Sequence, residues 1–369
     1  MIIGLFGGSF NPPHKQHIKI AQKSLESGLI DEVWFIPVFL PVHKSDTELI
    51  SFSDRCEMLK ASIQGKKGLK LSEVERELDG PSFTIRTIRH LKKQNPFHDY
   101  FLIIGSDSLN DLKNWKSSAE IIAEAGLIVA SRPGYTVPSV LPSKKTFLIN
   151  IDEDPVSSTE FRKKLKLKND PFRFVPPGAA AIIAEKNLYN CWGTEFRTWV
   201  EQIRLKHQNL PTSIINHLAG TASLAARYSA ELTDDPRLGW LAGISHDLFR
   251  ASPDQEILNV LSKSDIPLFK KEREIPMLGH GAAAACFLKN LDPNFPKKVI
   301  TSVRMHTFPR VRCGKIEKAL VMGDFLDPSR ESKERSKIRE MELTPQKRFE
   351  VVCRSKREKA LKKQLITTL

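Results

Sequence analysis

Gly7-Gly8-Ser9-Phe10-Asn11-Pro12-Pro13-His14-Lys15-Gln16-His17 is the stretch on which the fold turns. Ile2-Ile3-Gly4-Leu5-Phe6, just before it, reads as a short buried strand. Ile18, Ile20, Ala21 and Leu25 follow at roughly helical spacing. The stretch is therefore a strand-to-helix loop opening a parallel α/β unit. Such loops lie at the carboxyl ends of strands, where open sheets bind ligands. Gly7 and Gly8 let backbone N–H groups approach a phosphate, and the helix that follows offers its positive end to anions. His14 and His17, three apart, can face one site. Two imidazoles beside a phosphate cradle suit chemistry on a nucleotide phosphate, where donors aimed at developing charge lower the barrier.

Working outward, residues 33–38, 100–104, 127–130 and 147–149 are β-branched or aromatic runs and read as strands. Phe52 to Ile63 reads as a helix with Ser53 as its N-cap, and another helix is expected to end near Leu91. Strands alternating with helices predict a doubly wound parallel α/β sheet.

The run at Gly7 to His17 resembles the H-x-G-H signature of the nucleotidyltransferases, in the form found in bacterial nicotinate-nucleotide adenylyltransferases. Gln16 stands where that family usually has glycine. Pro41-x-His43-Lys44, Gly80-Pro81-Ser82-Phe83-Thr84, Gly105-Ser106-Asp107 with Trp115, Arg132-Pro133-Gly134 and Ser157-Ser158-Thr159-x-x-Arg162 follow in family order. The likeness runs from Met1 to about Tyr189. It implies adenylyl transfer from ATP to nicotinate mononucleotide, with His14 and His17 catalytic. It implies ATP contacts at Gly7, Gly8, Ser9, Phe10, His14, His17, Ser157, Ser158, Thr159 and Arg162, with Mg²⁺ carried by the triphosphate. His43, Lys44, Thr84, Asp107, Trp115 and Arg132 are implied around the mononucleotide. For Trp115 alone, core packing is as good a reading as ring stacking. Adenylyl transfer to another phosphorylated acceptor, such as phosphopantetheine, is the rival; the Pro41–Lys44 and Gly80–Thr84 runs speak against it.

Beyond Asn190-Cys191-Trp192-Gly193 the pattern turns helical throughout, so an all-α domain is expected. The expected division is 1–190, a linker at 191–194, a helical domain at 195–345 and a basic helical tail at 346–369. His246-Asp247 follows the apolar run 240–244, and a buried polar pair there needs partners. His217 lies upstream; His280, His306 and Asp324 follow. Imidazoles and carboxylates converging from several helices suit a transition-metal site, although any one such histidine alone would more often be a satisfied core residue. The pattern resembles the HD metal-dependent phosphohydrolases, closest to bacterial symmetrical diadenosine-tetraphosphate hydrolases. That resemblance implies one metal on His217, His246, Asp247 and Asp324, and a second on His280, His306 and a bridging Asp247, the catalytic carboxylate. It implies iron; the spacing leaves manganese equally open. Arg250 and Arg330 are phosphate-contact candidates, and a solvated cation is an equally good reading of either. Asp327 stands where the family usually has glutamate, and Ser245 where it is usually apolar; both are expected to lie clear of the ligands. A non-catalytic, nucleotide-sensing module is the rival reading.

The 369 residues carry a formal net charge of +14, which favours anionic partners. Residues 329–369 hold thirteen Lys/Arg against six Asp/Glu, half of that surplus, and read as a solvated helical face. Nucleic-acid binding is not expected; tight RNA binding at physiological salt would reverse that. Five scattered cysteines without a C-x-x-C pair suit a reducing cytoplasm. Neither a charged leader before an apolar run nor an eighteen-residue apolar span is found, so a cytoplasmic protein without membrane contact is expected.

Overall fold

Six parallel strands form a single sheet among the described residues: β1 (Ile2–Gly8), β2 (Glu32–Pro37), β3 (Leu69–Leu71), β4 (Asp99–Gly105), β5 (Gly126–Ser131) and β6 (Thr146–Asn150). The computed structural model describes residues 1–41, 49–131, 142–151, 157–166, 171–310 and 312–362. His43, Lys44 and Arg132 lie outside the described residues. Strand order is β3-β2-β1-β4-β5-β6, so the sheet reverses direction of growth between β1 and β4. That reversal leaves a crevice at the carboxyl ends of those two strands.

The sheet is buried on both faces, as helical crossovers require. Ile3 and Leu5 pack on one face with Leu102, Ile104 and Ile88. Phe6 faces the other way, with Phe35, Val33 and Ile103. Helix Phe52–Ile63 begins as expected, but its cap is Ser51, whose Oγ accepts the Asp54 N–H at 3.0 Å. Ser51 has the extended backbone that a cap needs, whereas Ser53 already lies in the first turn. β3, with three residues, is too short for an alternating pattern to announce it.

The chain divides into two compact units, Met1–Ala179 and Ala180–Leu369. The second is helical throughout its described residues. Helices Thr212–Glu231, Pro236–Ser245 and Lys315–Leu326 pack around Ala222, Ala226, Leu241 and Leu320. A Cβ on Gly243 would stand 2.3 Å from Ala222 Cα, so only glycine allows the first two to approach so closely. The expected joint at 191–194 lies inside this unit. Trp192 stacks on Trp240 with ring centroids 5.1 Å apart, and helix Gly193–His207 starts at once.

The basic tail is packed as well. Helix Pro345–Lys362 buries Phe349 and Val352 against Tyr228, Met322 and Phe325. Among the described residues no helix is long and apolar enough to cross a membrane.

Candidate functional site

In the first unit, β1 ends at Gly8 and the chain turns through Ser9–Pro13 into helix Lys15–Glu26. His14 is the N-cap residue, with extended backbone. Its N–H donates to His17 Nδ1 at 3.1 Å, and the two imidazoles stack at 3.5 Å between centroids. Gln16 is buried and does not disturb that pairing. A Cβ on Gly7 would meet nothing within 4 Å, so the backbone there borders open space at the crevice. Gly8 instead makes room for the Phe10 ring, 3.1 Å from where its Cβ would be.

Helix Ser158–Lys166 docks on this loop from far along the chain. Ser158 Oγ donates to Pro12 O at 2.8 Å, and an Arg162 guanidinium N–H donates to Asn11 O at 2.7 Å. Ser157 Oγ accepts the Glu160 N–H, capping the helix. Thr159 is exposed on its first turn. Two helix N-termini therefore border one loop, an arrangement that attracts anions. Beside it lies a cavity of about 440 Å³ whose walls include Ser9, Pro41, Ser82, Thr84 and Trp115. Trp115 packs on the core cluster and also forms part of the cavity wall. Asp107 is exposed in the first turn after β4.

In the second unit the six expected residues are brought together from five helical segments, and all are buried. His217 Nε2 lies 3.2 Å from His246 Nε2 and 3.3 Å from Asp324 Oδ1. Asp247 Oδ2 is 3.8 Å from His217 Nε2 and 3.7 Å from His246 Nε2. Its other oxygen, Oδ1, is 3.1 Å from His280 Nε2 and 3.3 Å from His306 Nε2, which are 3.2 Å apart. Asp247 thus joins two groups of donors, each compact enough for one cation.

The histidine Nδ1 atoms are all engaged on the far side. His246 Nδ1 donates to Gly243 O at 2.8 Å, His280 Nδ1 to Met277 O at 2.7 Å and His306 Nδ1 to Val303 O at 2.7 Å. Each of these histidines stands just past a helical turn, where the carbonyl three residues back is open to accept. His217 Nδ1 donates to Asp327 Oδ2 at 2.6 Å. Asp327 therefore touches a ligand candidate, against the expectation that it lay clear. Ser245 does lie clear, its Oγ donating to Leu241 O within the helix.

With Nδ1 carrying the proton, each Nε2 presents a bare lone pair. Two such lone pairs facing each other across 3.2 Å repel unless a cation lies between them, which is the condition a metal satisfies. Burial pushes His246 down to about 4 and lowers His306 as well. Burial works against the charged form of Asp247, but His246, His280 and His306 outweigh it and hold the carboxyl well below the usual range. Asp324 is likewise lowered against burial, chiefly by Lys356 and His217. At His217 burial opposes the proton, yet Asp324 and Asp327 raise its pKa. His246 and His306, held toward the neutral form beside the ionised Asp247 and Asp324, suit a donor set for divalent cations.

Arg330 reaches across both carboxylates, 3.1 Å from Asp324 Oδ1 and 3.2 Å from Asp247 Oδ2. Arg250 stands 3.4 Å from His280 Nδ1.

The cytidylyltransferase-like family matches residues 5–164, and the HD domain matches residues 214–346. A probable nicotinate-nucleotide adenylyltransferase of Shouchella clausii is 37% identical over 188 residues, covering 51% of this chain and 96% of that protein. The nicotinate-nucleotide adenylyltransferase of Bacillus subtilis is 35% identical over 187 residues, 51% of this chain and 97% of that protein. The chain belongs to the nicotinate-nucleotide adenylyltransferase family through its first half. Its second half carries an HD domain at residues 214–346. A solved structure from Clostridium acetobutylicum, described as a predicted HD superfamily hydrolase involved in NAD metabolism, is similar at 20% identity and a TM-score of 0.41, over 46% of this chain and 90% of that one. That likeness is distant, and the metal-binding character of the HD domain rests on its own geometry.

Of the adenylyltransferase motifs, the structure brings 7–17 and 157–162 into contact and sets Thr84 and Trp115 around one cavity. Two residues of the HD site escaped the sequence. One is Asp327, whose reach depends on how the chain leaves helix Lys315–Leu326. The other is Lys356, 2.8 Å from Asp324 Oδ2. A signal for it existed: Phe349, Val352 and Lys356 fall at i, i+3 and i+7, on one helix face.

Proposed function

We propose that the chain is a bifunctional nucleotide enzyme. Its first unit transfers the adenylyl group of ATP to nicotinate mononucleotide. Its second hydrolyses diadenosine tetraphosphate to two ADP. The stacked His14–His17 pair at the head of a helix supports the first activity most directly.

In the transfer, an oxygen of the mononucleotide phosphate forms a new bond to the α-phosphorus of ATP. The bond to the β-phosphate oxygen breaks and pyrophosphate leaves, accompanied by Mg²⁺. Little covalent work falls to the protein in such a reaction; it positions and stabilises charge. His14 and His17 donate to the phosphate oxygens on which charge grows. Gly7, Gly8, Ser9 and Phe10 line the nucleotide's path. Ser157, Ser158, Thr159 and Arg162 receive the triphosphate at the second helix start. Thr84, Asp107 and Trp115 surround the mononucleotide, with Trp115 under the pyridine ring. Lys44, together with His43, offers positive charge to its carboxylate, so the acid is preferred over the amide, and Arg132 is a further contact of the mononucleotide. Comparing kcat/KM for the two mononucleotides tests this, and equal values would defeat it.

In the second unit, Asp247 shared between two groups of imidazoles supports hydrolysis. His217, His246, Asp247 and Asp324 would hold one cation, and His280, His306 and Asp247 a second, with iron favoured by resemblance. Divalent cations bound there supply Lewis acidity that activates water and polarises a phosphoryl group. The chain's own part is to fix each Nε2 through its Nδ1 partner, to keep Asp247 ionised, and to steer phosphate with Arg330 and Arg250. Arg330 then exchanges its carboxylate contacts for phosphate oxygens. Attack by water at the central bridge yields only ADP; attack elsewhere yields ATP and AMP. Chromatography of the products decides this. A protein that binds the dinucleotide and releases neither is a sensing module instead.

A further inference from the structure

We propose that Lys356, carried by the C-terminal helix, is a phosphate-binding residue of the HD site and spans both of its donor groups. The inference rests on the hydrolase reading of that site and names a residue outside the HD segment matched at 214–346.

The ammonium is held at two points. Its Nζ donates to Asp324 Oδ2 at 2.8 Å and to the backbone carbonyl of His306 at 3.1 Å. The first contact belongs to the donor group of His217 and His246, the second to that of His280 and His306. Only the oxygen of Asp324 that faces away from His217 is used, since Oδ1 is the one 3.3 Å from His217 Nε2. Lys356 therefore sits beside the donors without taking their place. This differs from Arg330, which lies on Asp324 Oδ1 and Asp247 Oδ2, the oxygens on the side of His217 and His246.

An ammonium has three N–H donors. Two are spent on the contacts above, and the third points from a side chain that is 19% exposed. Ordering a lysine at a buried carboxylate is costly in side-chain entropy. The helix overcomes that cost by packing Val352 and Phe349 into the core, one and two turns back on the same face. The neighbouring Ser355 is also buried, its hydroxyl on Glu334. Arg354 and Arg357, the neighbours of Ser355 and Lys356 on this helix, are exposed instead.

Charge gives the reason for a lysine here. A tetraphosphate brings several negative charges to a site already holding Asp247 and Asp324. Arg330 approaches from one side, and a compact point charge between the two donor groups offsets the phosphates from another.

The test uses the full-length protein and a diadenosine tetraphosphate analogue with a methylene in place of the central bridging oxygen. Binding is followed by calorimetry, and metal content by elemental analysis, for wild type, Lys356→Met, Lys356→Arg and Arg354→Met. The binding component that differs between wild type and Lys356→Met belongs to the second unit. A charge-assisted hydrogen bond predicts that Lys356→Met weakens that component by about ten- to a hundredfold with metal content unchanged. Lys356→Arg should recover part of it, and Arg354→Met should match wild type. Equal affinity in wild type and Lys356→Met would overturn the assignment. So would loss of metal in step with binding, which would make Lys356 a positioning group for Asp324. Wild type that carries metal but neither binds the analogue nor releases ADP from the substrate would defeat the hydrolase reading itself.

Discussion

His217 Nδ1 donates to Asp327 Oδ2 across 2.6 Å, and both side chains are buried. This bond aims His217 Nε2 at its neighbours and ends on a carboxylate, where those of His246, His280 and His306 end on carbonyls. Asp327 is itself placed by a steric allowance: a Cβ on Gly220 would stand 2.1 Å from its Oδ1. Loss of a bond that orients a ligand typically costs ten- to a hundredfold in metal affinity. Asp327→Ala and Gly220→Ala should both show this in metal titrations of the purified protein. Wild-type affinity in both variants would mean that Asp327 does not orient His217.

His17→Ala should lower adenylyl transfer by roughly 10²–10³, the scale for one lost transition-state donor. ADP release by the HD domain should be unchanged. Near-normal transfer would remove His17 from the mechanism.

Asp247→Ala removes the carboxylate shared by both donor groups. Elemental analysis should then find both metals lost, and hydrolysis should fall to background. Transfer to nicotinate mononucleotide should persist, because the transfer proposed for the first unit uses none of the HD-site donors. Retention of either metal at full occupancy would contradict the bridging role.

Arg304 pairs with Glu272 through two bonds of 2.7 Å, and Glu272 is almost wholly buried. Arg304 also donates to Pro267 O at 2.6 Å, tying down the helix that ends next to His306. Glu272→Ala leaves a guanidinium with its partner gone. It should destabilise the second unit by about 3 kcal/mol in urea unfolding. A change below about 1 kcal/mol would show that the pair is dispensable.

His207 is lowered below its ordinary value by burial, with a smaller contribution from Arg204, while its Nε2 bonds the Ile244 carbonyl at 2.8 Å. The folded protein therefore binds this proton less readily than the unfolded chain. Stability contributed here is present above the unfolded value of about 6.5 and declines as pH falls below it, until the folded pKa is passed. His207→Gln should flatten that part of the acid limb in denaturation measured from pH 7 to pH 5. An unchanged slope would assign the acid sensitivity to other groups.

Much of this was legible in the chain itself. Apolar runs of strand length separated by helical periodicity already specify a parallel sheet, because only crossover helices can cover both faces of such strands. Gly7 to His17 announces its loop locally: a glycine pair, a histidine at the helix cap and another one turn on. The six HD residues could be picked out because they recur in the order of the HD pattern, on or just past helical segments rich in apolar residues.

What the tertiary structure decided is every relationship between distant positions. Whether Asp327 reaches His217 depends on the space left at Gly220, and on the direction in which the chain leaves helix Lys315–Leu326. Whether Lys356 is one of many solvated cations or a neighbour of Asp324 depends on where its helix packs. Ser158 and Arg162 meet Pro12 and Asn11 only because the sheet sets them side by side. A charge or a hydroxyl is readable in a sequence, but its partner is not. Hydrogen bonds and ion pairs act over a few ångströms, and those distances between remote residues are created by the packing of the whole unit.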